Sequence, residues 1–119
     1  MLEYREYGES GRPVILLHGG PAAAGYLGAL GRELADEYKV YEPFQRGSGA
    51  VPLTVERHIR DLAAFVDSLR LSDTPALVGH SWGAMLALAY GAAEPQSYRS
   101  LALIGCGTFD TQARAKLNE

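Results

Sequence analysis

Hydrophobic positions along the chain alternate between short continuous runs and longer stretches with helical spacing. Short runs are typical of strands buried on both faces of a sheet, and helical spacing is typical of helices with one apolar face. The short runs predict strands at 2–7, 14–17, 38–44, 76–78 and 101–104. Helical spacing predicts helices at 22–37, 54–69 and 84–93, followed by a polar tail at 108–119.

Strands that alternate with helices of this length predict right-handed crossovers and a mostly parallel sheet. We therefore predict an α/β fold, with helices on both faces of the sheet, as one domain over residues 1–119. In sheets of this kind, ligands bind at the carboxyl ends of the strands. His18, Arg46, Ser81 and the glycines beside Cys106 follow predicted strands, so we expect them at one edge of the sheet.

Composition and charge narrow the classes of partner. The formal net charge is −3 and the basic residues form no stripe, so nucleic acid is not an expected partner. No apolar run approaches the roughly 20 residues that cross a bilayer, so no membrane contact is expected. Cys106 is the single cysteine, which excludes an internal disulfide and favours a reducing cytoplasm. The scattered histidines and this cysteine lack metal-ligand spacing, so neither a metal nor a cofactor is predicted.

The turn Gly79-His80-Ser81-Trp82-Gly83 lies between an apolar run and a predicted helix. A Gly-x-Ser-x-Gly sequence in this setting lifts a serine hydroxyl above the sheet for nucleophilic attack. Ser81 is therefore the predicted nucleophile of a hydrolase, and the amide of Trp82 is a predicted donor to the oxyanion. The alternative is a glycine-rich turn in which Ser81 only caps the helix.

A second turn, His18-Gly19-Gly20-Pro21, follows the strand predicted at 14–17. The serine turn needs a second amide donor from the loop after an earlier strand, and paired glycines allow the backbone to approach a ligand closely. Gly20 is the predicted donor, because Pro21 has no N–H. We expect a structural role for His18 in this turn; the alternative is a catalytic base.

A third turn, Gln45-Arg46-Gly47-Ser48-Gly49, carries neither a dinucleotide nor a phosphate fingerprint. Taken in order, however, the three turns resemble the α/β-hydrolase superfamily. The likeness is greatest to the branch that holds proline iminopeptidases and related serine hydrolases.

This resemblance extends over about residues 2–108 and implies a role for each matching residue. It implies a small acyl or peptide substrate, with proline iminopeptidase, esterase and lactonase activities all open. The implied sites are the nucleophile Ser81, the oxyanion donors Gly20 and Trp82, and an active-site floor or pocket formed by His18, Gly19, Arg46, Gly47 and His80.

Two departures from the family pattern bear on activity. Phe44 stands where the family's Asp-x-Arg-Gly loop has its aspartate, which affects how that loop is braced. No histidine follows Ser81, although the family order is serine, acid, histidine. Family members are much longer, so we expect a truncated α/β-hydrolase fold without the cap, the last strands, the acid and the histidine.

Two functional interpretations follow from these features. In the first, the chain is the nucleophile-bearing part of a serine hydrolase and is weak or inactive by itself. Residues outside it, in a longer protein or in a complementing C-terminal half, then supply the acid and the base. In the second, the chain is an inactive α/β scaffold. Its strand at 101–104 then pairs through an exposed edge with a second copy and forms a homodimer.

Overall fold

The computed structural model describes residues 2–19, 26–45 and 54–105. The strands are β1 (Tyr4–Tyr7), β2 (Arg12–Leu17), β3 (Tyr38–Pro43), β4 (Ala76–His80) and β5 (Ser100–Ile104). The helices are α1 (Gly28–Leu34), α2 (Val55–Leu69) and α3 (Trp82–Ala93). The tail predicted at 108–119 lies outside the described residues, as do Gly20, Arg46 and Gly47.

The described strands form one sheet in the spatial order β1-β3-β2-β4-β5. β2 pairs in parallel with β3 and β4, and β4 pairs in parallel with β5, whereas β1 runs antiparallel to β3. The prediction of a mostly parallel sheet is therefore confirmed. The chain passes from β2 to β3 on one side and then back across β2 to β4 on the other. The strand order thus reverses between β2 and β4, which is where open α/β sheets bind ligands.

Helices cover both faces of this sheet, as predicted. The face under α2 and α3 holds the larger core, formed by Ile15, Leu17, Leu62, Phe65, Leu77, Leu86, Ala87 and Tyr90. The face under α1 holds the smaller core, formed by Val14, Leu16, Leu27 and Val40. β2 contributes to both cores because successive side chains of a strand point to opposite faces. This double burial explains the continuous apolar run in its sequence.

Helix α2 begins where the sequence predicts its cap. Thr54 has an extended backbone, and its Oγ1 accepts a hydrogen bond from the Arg57 N–H at 3.1 Å. The buried face of α2 carries Leu62 and Phe65, which lie almost one helical turn apart. Within the described part of the chain, no helix has the length and apolarity needed to cross a bilayer.

Several element boundaries differ from the sequence prediction. α1 ends at Leu34, before the predicted end at residue 37, because the residues after Leu34 form tight turns. Residues 22–25 of the predicted helix lie outside the described residues. β2 begins earlier than predicted, since Arg12 and Pro13 pair with β3. The turn around Ser81 is tighter than predicted, because β4 and α3 extend to its immediate neighbours.

One buried polar pair lies between β1 and β3, under α1. The Tyr7 hydroxyl donates to Glu42 Oε1 at 2.8 Å, and Glu42 is fully buried. Within the described residues, the second carboxyl oxygen of Glu42 has no hydrogen-bond partner. Burial, and after it the hydrogen bond to Glu42, raises the pKa of the Tyr7 phenol. This pair is therefore a polar contact held inside the smaller core.

Candidate active site

A single residue, Ser81, separates β4 from α3. Its φ is 56° and its ψ is −115°, a left-handed conformation that costs a non-glycine residue on the order of 1–3 kcal/mol. Its N–H donates to the Ile104 carbonyl at 2.9 Å, and its own carbonyl accepts from the Ala84 N–H at 3.0 Å. β5 and α3 thus hold the strained backbone in place, and the serine residue is exposed at the edge of the sheet.

Two glycines make this sharp turn sterically feasible. A Cβ on Gly79 would overlap the carbonyl oxygen of Gly83, across the turn. A Cβ on Gly83 would overlap the carbonyl oxygen of Leu17 in β2. Both obstacles are backbone atoms, which cannot rotate away as a side chain can. The turn therefore packs α3 against β2 and β4 more closely than any larger residue would allow.

Trp82 is the first residue of α3, so its N–H has no acceptor inside the helix. The N-terminus of a helix carries partial positive charge, which favours an anion there. The indole Nε1–H of Trp82 donates to Gln45 Oε1 at 2.8 Å. Its ring also makes an edge contact with the ring of His58 on α2, with centroids 5.7 Å apart. The side chain of the predicted oxyanion donor is thus held on two sides.

His18, directly after β2, is fully buried. Its Nε2 accepts a hydrogen bond from the Gln45 N–H at 3.0 Å, and its Nδ1 lies 2.9 Å from the Gly19 carbonyl oxygen. A backbone N–H can only donate and a carbonyl can only accept, so the ring is neutral with its proton on Nδ1. Both ring nitrogens are occupied by the backbone. This arrangement suits a structural residue and leaves His18 no lone pair for the Ser81 proton.

Gln45, after β3, joins the turns at 18–19 and 81–82. Its side-chain Nε2 donates to the His18 carbonyl at 2.8 Å, while its Oε1 accepts from the Trp82 indole. It is 8% exposed. The local sequence predicts no role for Gln45, because nothing in a glycine-rich loop indicates that one of its polar residues is buried.

Tyr26 makes a second bridge across the same edge. Its hydroxyl accepts from the Gly19 N–H at 2.7 Å and lies 2.5 Å from His80 Nδ1. The hydroxyl thus links the turn at 18–19 to the imidazole of His80. Tyr26 is 48% exposed, and its ring meets the His80 ring edge to face. Sequence analysis gave this hydroxyl no role either.

The structure brings five of the predicted site residues to the crevice between β2 and β4, namely His18, Gly19, His80, Ser81 and Trp82. The other three, Gly20, Arg46 and Gly47, lie outside the described residues. The ring nitrogens of the histidines beside Ser81 bond to Gln45, Gly19 and Tyr26, not to the serine hydroxyl. The described residues also contain no group of three or more side chains suited to hold a metal ion.

The sequence profile of the alpha/beta hydrolase fold family matches residues 12–117. The chain belongs to this family. Its relatives catalyse different reactions. It is 31% identical over 116 residues to a cis-3-alkyl-4-alkyloxetan-2-one decarboxylase of Shewanella oneidensis, covering 91% of this chain and 36% of the relative. It is 33% identical over 109 residues to a proline iminopeptidase of Heyndrickxia coagulans, covering 84% and 38%.

Among solved structures, this alpha/beta hydrolase chain resembles a thermophilic esterase from Thermogutta terrifontis. The TM-score is 0.81 at 31% identity, and the match covers 98% of this chain and 44% of the esterase. The chain therefore spans less than half the length of the relatives and of the structure it matches. The family profile covers β2 to β5 and the turn around Ser81.

Proposed function

We propose that this chain is the nucleophile-bearing part of a serine hydrolase that acts on an ester or amide bond. The observation that carries this proposal is the backbone of Ser81. A left-handed, strained serine is exposed between a strand and a helix, at the point where the strand order reverses. Strain of this kind persists where the surrounding structure fixes it, and it is common at active sites.

In this mechanism the Ser81 hydroxyl attacks the carbonyl carbon of the substrate. The amides of Trp82 and Gly20 then donate to the oxyanion of the tetrahedral intermediate, and the N-terminus of α3 adds favourable electrostatics. Preorganised donors of this kind are worth roughly 10²–10³ in rate for each donor.

The general base comes from outside the described residues in this proposal. Both ring nitrogens of His18 bond to the backbone, and Nδ1 of His80 bonds to the Tyr26 hydroxyl. His58 is buried behind the Trp82 ring. The relatives are more than twice as long as their matched part, so a complementing C-terminal half is the proposed source of the acid and the base.

The substrate we propose is a small acyl or peptide compound. Support comes from relatives and a similar structure whose names include a proline iminopeptidase and an esterase. We propose a reducing cytoplasm as the location of the reaction. A chain with one cysteine can form no internal disulfide, which is the usual benefit of an oxidising compartment.

Intact mass spectrometry with a fluorophosphonate probe tests this proposal. We expect one adduct on the wild-type chain when a complementing C-terminal half is supplied, its loss in Ser81→Ala, and its retention in Ser72→Ala, which alters an exposed serine away from the site. The chain by itself should react weakly or not at all, because it then lacks the base. An adduct that survives Ser81→Ala would overturn the assignment of the nucleophile. A folded, complemented chain without any adduct would favour the second candidate below.

The second candidate is an inactive scaffold that forms a homodimer through β5. The observation that favours it is the exposure of this strand, where Leu103 is 39% and Ile104 is 44% exposed at the open edge of the described sheet. Exposed apolar edge strands recruit partner chains, and a charged residue on the edge blocks such pairing. Light scattering should then give a dimer for the wild-type chain and a monomer for Leu103→Lys. A wild-type monomer at high concentration would contradict it.

A further inference from the structure

Gln45 makes three hydrogen bonds to residues on the two turns that flank the crevice. Its backbone N–H and its side-chain Nε2 both donate to His18, at 3.0 and 2.8 Å. Its Oε1 accepts from the Trp82 indole at 2.8 Å. The side-chain amide thus spans from the end of β2 to the start of α3, and it does so almost fully buried.

We infer that Gln45 is a positioning residue, which sets the position of the donor Trp82 relative to the turn at 18–19. This inference rests on the function proposed above. The His18 carbonyl precedes the glycine pair that carries one proposed donor, Gly20. Trp82 carries the other donor in its own backbone. One rigid amide plane therefore connects the backbone of one donor loop to the side chain of the other.

The chemistry of the amide explains why glutamine suits this place. One end of the group must donate to a carbonyl and the other must accept from an indole N–H, and a carboxamide offers both. A carboxylate in its place would present a lone pair to the His18 carbonyl. Spacing matters here because oxyanion donors act only when they lie about 2.7–3.1 Å from the developing charge.

Nuclear magnetic resonance of the isotopically labelled chain tests this inference without any need for turnover. Trp82 is the only tryptophan, so its indole N–H gives a single resonance. In Gln45→Met we expect that resonance to shift and its proton to exchange faster, and the backbone amide resonances of Gly19 and Trp82 to move with it. Gln96→Met, the same change at an exposed position, should leave all three unchanged.

A second variant changes Trp82, the other partner of the Gln45 side chain, and tests the inference if Gln45→Met fails to fold. Trp82→Phe removes the indole donor and leaves the bonds between Gln45 and His18. If the bridge transmits position, the Gly19 amide resonance moves in Trp82→Phe as well. A Gly19 resonance unchanged in the folded variants would overturn the inference, because Gln45 would then only satisfy the indole.

The fluorophosphonate reaction separates this inference from the function on which it rests. If Ser81 is the nucleophile, its labelling should slow in Gln45→Met by up to roughly 100-fold, as expected for a displaced catalytic group, and stay unchanged in Gln96→Met. Equal rates in both variants would contradict the positioning role. If the wild-type chain does not react even when a complementing C-terminal half is supplied, the proposed function fails, and the resonances still decide the role of Gln45.

Discussion

The two turns that face each other across the crevice are built in different ways. The turn at Ser81 is shaped by close backbone packing, with Gly79 and Gly83 pressed against carbonyl oxygens and one residue in a left-handed conformation. The turn at His18 is shaped by hydrogen bonds to residues outside the turn, namely to the Tyr26 hydroxyl and to the backbone and side chain of Gln45. Steric packing tolerates no substitution, whereas a hydrogen-bonded turn can lose one bond at a time. The two turns should therefore respond differently to mutation.

The largest effect should come from Gly83→Ala in the packed turn. The new Cβ would overlap the Leu17 and His18 backbone, so α3 must move away from β2. We expect a loss of about 3 kcal/mol or more in the free energy of unfolding, measured by urea denaturation.

The matched control is Gly28→Ala in α1, where the nearest atom to the added Cβ is the end of the Arg32 side chain, at 3.2 Å, and the Tyr7 hydroxyl lies at an ordinary 3.7 Å. This flexible neighbour can move, so the control should change stability by less than about 1 kcal/mol. Equal losses in the two variants would mean that the turn at Ser81 is not sterically constrained.

In the hydrogen-bonded turn, the largest effect should come from His18→Leu. Leucine replaces most of the volume but leaves the Gln45 N–H without its buried acceptor. An unsatisfied buried donor costs about 1–3 kcal/mol, so the loss should be smaller than in Gly83→Ala. Thermal and urea unfolding would measure it, with His80→Leu as the comparison at a partly exposed histidine. A loss near zero would show that the turn does not need the His18 bonds.

A smaller effect is expected for Tyr26→Phe, which removes only the hydroxyl between Gly19 and His80. The ring is half exposed, so water can replace the lost partner, and the cost should be about 0.5–1.5 kcal/mol. Tyr38→Phe alters a tyrosine outside the crevice and serves as the control. The comparison of the two turns would be weakened if Tyr26→Phe were as damaging as Gly83→Ala.

The smallest expected effect concerns pH and uses the buried polar pair away from both turns. The pKa of Tyr7 is raised from its ordinary value of 10.0, so the folded chain holds this proton more tightly than the unfolded chain. Its contribution to stability is fully present below about pH 10 and is lost as pH rises through the folded pKa. The stability difference between wild type and Tyr7→Phe should therefore shrink above about pH 10. A difference that stays constant would contradict this linkage.

Much of the fold and the turn at Ser81 could be predicted because their signals are local. The apolar runs predict the strands, and their alternation with helices predicts a mostly parallel sheet between two helical layers. The spacing of glycines around Ser81 predicts the sharp turn. The length of α1 could not be read, because the turns after Leu34 depend on local hydrogen bonds that compete with the helix. The roles of Gln45 and Tyr26 also gave no signal. The most distant bonded partner of Gln45 lies 37 residues away and that of Tyr26 lies 54 residues away, and only folding brings them together.

The strained conformation of Ser81 has a consequence for how the chain acquires it. The atoms that hold the strained backbone belong to other parts of the fold, since Gly83 packs against the Leu17 carbonyl and the Ser81 N–H bonds to Ile104 in β5. A peptide of residues 79–83 alone lacks these contacts and would relax to an unstrained turn. Pairing of β2 with β4 joins segments that are distant in sequence, and such contacts are slow to form. In a newly synthesised chain, the Ser81 backbone is therefore unstrained until β2 and β4 have paired, which are the described strand neighbours furthest apart in sequence.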